Sequence, residues 1–135
     1  MTTLQFSTTM RNDMMDQLQV AAGATAVLNI YNGALPVNCA SSNAGTVLAS
    51  ISLPTAFMAA ASGGSAQMSG SWSDASADAS GTAVHFRIFT NATAATCVVQ
   101  GDCGTTAAAL ILDSVNFTAG QQFSITTFTL TAGNA

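Results

Sequence analysis

The chain has no Lys, no Glu and only two Arg, Arg11 and Arg87, so 6% of its 135 residues are charged, against about 25% in an average soluble domain. This excludes nucleic acid as a partner, because phosphate binding draws on several cations acting together. An anionic membrane surface is disfavoured for the same reason. A phosphate-cradling G-x-x-x-x-G-K-[ST] loop is impossible without Lys. His85 is the sole histidine and no G-x-S-x-G elbow accompanies it, which leaves a nucleophile and its base little to draw on. No apolar run approaches the eighteen or so residues of a membrane span. The start, MTTLQFSTTMRNDMMDQ, lacks a basic stretch followed by an apolar one, so no secretory signal is expected and synthesis in a cytoplasm is.

Thr, Ser, Asn, Gln, Gly and Ala fill the positions that charge leaves open. Such a surface suits a part of an assembly. The acidic residues are Asp13, Asp16, Asp74, Asp78, Asp102 and Asp113, for a net charge of −4. Asp74 and Asp78 share a polar loop and are candidates for contact with a ligand. Their oxygens suit a hard cation in type, but the spacing departs from the EF-hand, and a solvated loop is the plainer expectation. Three cysteines, Cys39, Cys97 and Cys103, allow at most one bridge. Cys39 to Cys97 would close a long loop worth roughly 4 kcal/mol; the alternative is free buried thiols acting as small hydrophobes. Cys97 and Cys103 are not spaced as a zinc pair, and no metal, cofactor or catalytic residue is expected. Trp72 and Tyr31 carry a ring with a polar handle and are the candidates for sugar contact, although a lone Trp also serves to cap a core.

The periodicity predicts one helix over 8–22, with Met10, Met14 and Leu18 at i, i+4, i+8, Ser7 or Thr8 as N-cap and Gly23 beyond the last turn. That stripe can dock on the domain's own sheet or on another subunit. Strands are expected at 26–31, 46–53, 82–89, 96–100, 109–113 and 122–131, with a hairpin about Gly63-Gly64 and turns at Asn32-Gly33 and Gly101-Asp102. In the strand 82–89, Val84, Phe86 and Ile88 alternate with His85, Arg87 and Phe89, which places His85 at a surface or edge. Regular short strands without βαβ alternation predict a mainly β fold, an antiparallel β-sandwich or jelly roll of seven to eight strands with one N-terminal α-helix. The arm and helix would occupy 1–23 and the sandwich 24–135 of a single domain. Leu4 and Phe6 alternate in the arm MTTLQFS, which could add a strand to a neighbour's sheet.

Five segments together carry a resemblance: Thr9-Met10-Arg11-Asn12 opening the helix, LNIYNGALPVN at 28–38, TVLASISLP at 46–54, SDASADASGTAVHFRIF at 73–89 and FTLTAGNA at 128–135. In this order they resemble a family of small virion structural proteins of tailed bacteriophages. The resemblance implies an architectural role, as a decoration or cement protein on the capsid surface or as a piece of the tail. It implies partners among copies of the chain and the major capsid protein, no catalytic residues, and a location in the virion. A tail-associated adhesin that binds a host surface glycan is the alternative.

Overall fold

The computed structural model describes residues 3–131, so the first two residues of the arm and the end of the closing segment, 132–135, lie outside the described residues. The helix α1 (Thr8–Ala22) forms where its caps predict. Ser7 Oγ accepts the Met10 N–H at 3.2 Å, and Gly23, at φ +80°, closes the last turn by donating its N–H to Gln19 O. Eleven strands follow among the described residues: β1 (Val27–Tyr31), β2 (Val47–Ser52), β3 (Ser65–Gln67), β4 (Trp72–Asp74), β5 (Gly81–Thr82), β6 (His85–Phe89), β7 (Cys97–Gly104), β8 (Leu110–Ile111), β9 (Asn116–Phe117), β10 (Phe123–Ile125) and β11 (Thr129–Thr131).

A five-stranded sheet runs in the order β2-β1-β6-β7-β8, antiparallel except for the parallel pair β7 and β8. Three two-stranded sheets, β4 with β10, β3 with β11 and β5 with β9, lie apart from it. Leu28 and Ile30 of β1 and Phe86 and Ile88 of β6 project into one cluster with Ala66, Trp72, Phe117, Phe123, Ile125 and Phe128 from the small sheets and their loops. Alternation in β1 and β6 therefore supplies one wall of the core, and aromatic residues from short strands supply the other.

The fold is mainly β with one helix, as expected, but its strands outnumber the predicted seven or eight and several are two or three residues long. The predicted strand 122–131 is broken: β10 pairs with β4, β11 pairs with β3, and Thr127 between them bridges to Ile111 instead. Gly101-Asp102 is no turn but lies within β7, opposite Phe86 and His85. Glycine fits there because a Cβ on Gly101 would lie 2.8 Å from the Ala109 Cβ and 2.9 Å from the Phe86 ring. The hairpin about Gly63-Gly64 forms, with φ of +62° and +80° and reciprocal backbone bonds between Ser62 and Ser65.

The helix is rotated from its apolar stripe. Met15, Leu18 and Ala22 pack on the core, while Met10 and Met14 stay exposed. Hydrogen bonds explain the rotation: Asn12, Asp16 and Gln19 accept the backbone N–H groups of Gly64, Ala61 and Met58, each at 2.8 Å. Those N–H groups face the helix, and their need for acceptors outweighs the burial of two flexible Met side chains.

Candidate functional site

Strands β1 and β6 are buried at every residue, although only alternate side chains reach the core. Asn29 and Tyr31 of β1 and His85 and Arg87 of β6 point to the opposite face, so a second cover is needed there. The loop 33–45 provides it. Its neck is closed by the Asn32 N–H to Thr46 O at 3.2 Å and the Thr46 N–H to Asn32 Oδ1 at 2.7 Å. At that neck Gly45 has φ +85°, and a Cβ on Gly33 would come within 2.5 Å of Ala44 O, so the two glycines let the chain return on itself.

Side chains from the sheet capture the backbone of this loop. Arg87, 1% exposed, donates from Nη1 to Ser41 O at 2.9 Å and to Asn43 Oδ1 at 2.8 Å, and from Nη2 to Asn38 O at 3.0 Å. Its Nε donates to Gln100 Oε1 at 3.0 Å, and Gln100 Nε2 passes a hydrogen bond on to Pro36 O at 2.7 Å. No carboxylate among the described residues pairs with this guanidinium, so neutral oxygens alone offset the cost of its burial.

His85 Nδ1–H donates to Gly33 O at 2.7 Å, and its ring stacks on Tyr31 with centroids 4.9 Å apart and planes 8° from parallel. With Nδ1 as donor, Nε2 is an acceptor, and it is buried without a hydrogen-bond partner. Asn29 Nδ2 donates to Tyr31 Oη at 3.3 Å while its Oδ1 is likewise buried and unpartnered. His85 is thus an interior residue in the middle of the sheet, not the surface or edge residue that its alternation predicts. Burial lowers its pKa, the bond to Gly33 opposes this, and repulsion from Arg87 adds to it.

Stability should therefore depend on this one ring. The unfolded chain binds a proton on His85 near pH 6.5 and the folded chain only at lower pH, so the unfolded state holds more protons between the two values. Stability is at its full value above pH 6.5 and falls as the pH drops below it. Urea midpoints between pH 7.5 and 5.5 should show this slope, and His85→Gln should flatten it.

A cavity of about 420 Å³ opens between this loop and the β6–β7 connection, lined among others by Cys39, Ser41, Asn43, Arg87, Thr96 and Cys97. The candidate bridge partners Cys39 and Cys97 both line this cavity as free thiols, and Cys97 Sγ donates to Val99 O at 3.5 Å. Cys97 is pushed up to about 12 by burial first and then by the neighbouring Cys39. Cys103 is pushed up to about 12 by burial and by Asp102. Both are therefore thiols, not nucleophilic thiolates, at neutral pH. Among the described residues no group of three His, Cys or Asp side chains is placed to hold a metal ion.

The other candidates are dispersed. Trp72 and Tyr31, read as possible sugar platforms, are 1% and 2% exposed; Trp72 packs on Phe57 and Phe128, and Tyr31 lies under the loop against His85. Asp74 and Asp78 belong to a segment that covers the outer edge of β2. Asp74 Oδ2 accepts the Ser50 N–H at 3.1 Å, and the Asp78 N–H donates to Leu48 O at 2.8 Å. Their loop protects a sheet edge and is not simply solvated. Of the interface candidates, Leu4 is 62%, Met10 47% and Met14 41% exposed, Phe6 is half-buried, and Leu18 packs on the chain's own core. Alternation revealed none of the Arg87 network, because its acceptors lie between 38 and 100 in the sequence and share no local pattern. Comparisons of the chain with family models, with curated proteins and with solved structures find no match.

Proposed function

We propose that the protein is a non-enzymatic structural subunit of a tailed-phage virion, seated on the capsid surface as a decoration or cement protein. The supporting observation is the exposure of Leu4, Met10, Met14 and Val20 along the arm and helix of a chain with only eight charged residues. Neutral Ser, Thr and Ala surface costs little to desolvate, and copies arrayed by symmetry add weak contacts into firm attachment. The covered edge of β2 favours contact through the helix over open-ended strand addition. In this reading the small sheets form the second layer of a β-sandwich, since their aromatic residues meet the five-stranded sheet in one core. Its partners are further copies of the chain and the major capsid protein. The adhesin alternative loses its aromatic platforms with Trp72 and Tyr31 inside.

Labelling the protein on purified particles tests the proposal: signal should cover the head, and absence from particles or restriction to the tail would overturn it. Met14→Asp supplies a second test. As an exposed position it should change stability by no more than about 0.5 kcal/mol, while light scattering should show the oligomer reduced to monomers. A wild-type chain that is monomeric at every concentration would count against self-association.

A further inference from the structure

Cys39 and Cys97 reach one cavity from two separately anchored stretches of backbone. Cys39 lies in a turn where Asn38 Oδ1 accepts the N–H groups of Ala40 and Ser41 at 2.9 and 3.1 Å. On either side of it, Asn38 O and Ser41 O are bound by the single guanidinium of Arg87. Cys97 opens β7 opposite Phe89, next to the register shift after Ile88, and the preceding Thr96 O accepts the Thr90 N–H at 3.2 Å. Two unrelated stretches are thus fixed against each other, and the thiols at their junction face one solvent-open cavity. Cys103 stands six residues further along β7, about 20 Å at the rise of a strand, beyond the reach of a disulfide to Cys97.

We propose that Cys39 and Cys97 are a disulfide-forming site, oxidised by exchange with a small-molecule or protein disulfide, and that the bond staples the loop 33–45 to β7. The Cys39 thiolate attacks one sulfur of the reagent, whose S–S bond breaks to release one thiolate and leave a mixed disulfide on Cys39. Capping Cys39 removes the negative charge that opposes ionisation of Cys97; Arg87 favours the thiolate, while burial still opposes it and makes this the slower step. Cys97 yields its proton to the released thiolate and attacks the Cys39 sulfur. The mixed disulfide breaks, and the second leaving thiolate takes up the proton that Cys39 had lost. Two protein thiols and one reagent disulfide become one protein disulfide and two reagent thiols, with two electrons passing to the reagent.

The test is to incubate the folded, fully reduced protein with oxidised glutathione at pH 8. The mass should fall by two hydrogens, titratable thiols should drop from three to one, and peptide mapping should join Cys39 to Cys97. The thermal midpoint should rise by roughly 10 °C over the reduced form. Cys103→Ser should behave like the wild type, while Cys39→Ser and Cys97→Ser should form no internal bridge and gain no stability. Three remaining thiols, a bridge that includes Cys103, or glutathione retained on Cys39 without closure would each overturn the site. A bridge that forms without raising the midpoint would overturn its stapling role.

Discussion

Replacing Arg87 by Met should destabilise the protein by about 3–5 kcal/mol and lower its thermal midpoint by roughly 10–15 °C. Two effects of opposite sign set this figure. Four hydrogen bonds from the guanidinium are lost, at about 1.5–3 kcal/mol each for a charged donor, or roughly 6–12 kcal/mol in all. Against that, the variant no longer buries an ion without a counter-charge, which returns several kcal/mol. The loss prevails because the abandoned acceptors belong to a loop whose other holds on the sheet are few. The loop 33–45 should lift into water to solvate Asn38 O and Ser41 O, exposing Tyr31, His85 and Phe89. Limited proteolysis should then cut within 33–45 in the variant at protease levels that spare the wild type. Arg87→Lys should be nearly as damaging, since one ammonium cannot span acceptors that a planar fork reaches from three nitrogens. Wild-type stability in Arg87→Met would show that the loop is held by its neck alone.

What could be seen in the sequence was whatever local chemistry decides. Ser7 and Gly23 bound a helix by satisfying its terminal groups, and Gly63-Gly64 makes a hairpin because both positions need positive φ. The alternation of Phe86 and Ile88 in β6 marks the inward face correctly. The same alternation misleads about His85 and Arg87, because a polar residue on the second face of a strand reads as solvent-facing unless a distant loop covers it. That cover depends on carbonyl groups, which every residue has and no residue type announces. Likewise Gly101-Asp102 has the composition of a turn, yet glycine is there to admit Phe86 and Ala109, and Asp102 Oδ1 accepts the Ala109 N–H at 2.8 Å. The pairing of Cys39 with Cys97 was one option among several in the sequence; the cavity that these two thiols line together, and Cys103 does not, favours it.

Trp72→Ala should cost about 3–5 kcal/mol, the range for deleting a large aromatic side chain from a core. Trp72 is 1% exposed, and its ring meets Phe57 at 6.0 Å and Phe128 at 5.4 Å, with Phe128 in turn edge-on to Phe86 at 5.6 Å. These contacts link β4 to the central strand β6, so the void would loosen the small sheets from the large one. Its Nε1–H donates to Ser69 O at 3.1 Å, and Trp72→Phe, which keeps a ring and loses this bond, should be the milder change. A chain whose net stability is of the order of 5–15 kcal/mol becomes marginal after such a loss. A sugar platform would behave in the opposite way, losing ligand and keeping its fold. Trp72 is the only tryptophan, so fluorescence reports on it directly: the folded protein should emit to the blue and resist quenching by acrylamide, and urea should shift the emission red together with the loss of β-sheet signal. Red, readily quenched emission from the folded chain would place the ring in water, and the core built around it would then have to be redrawn.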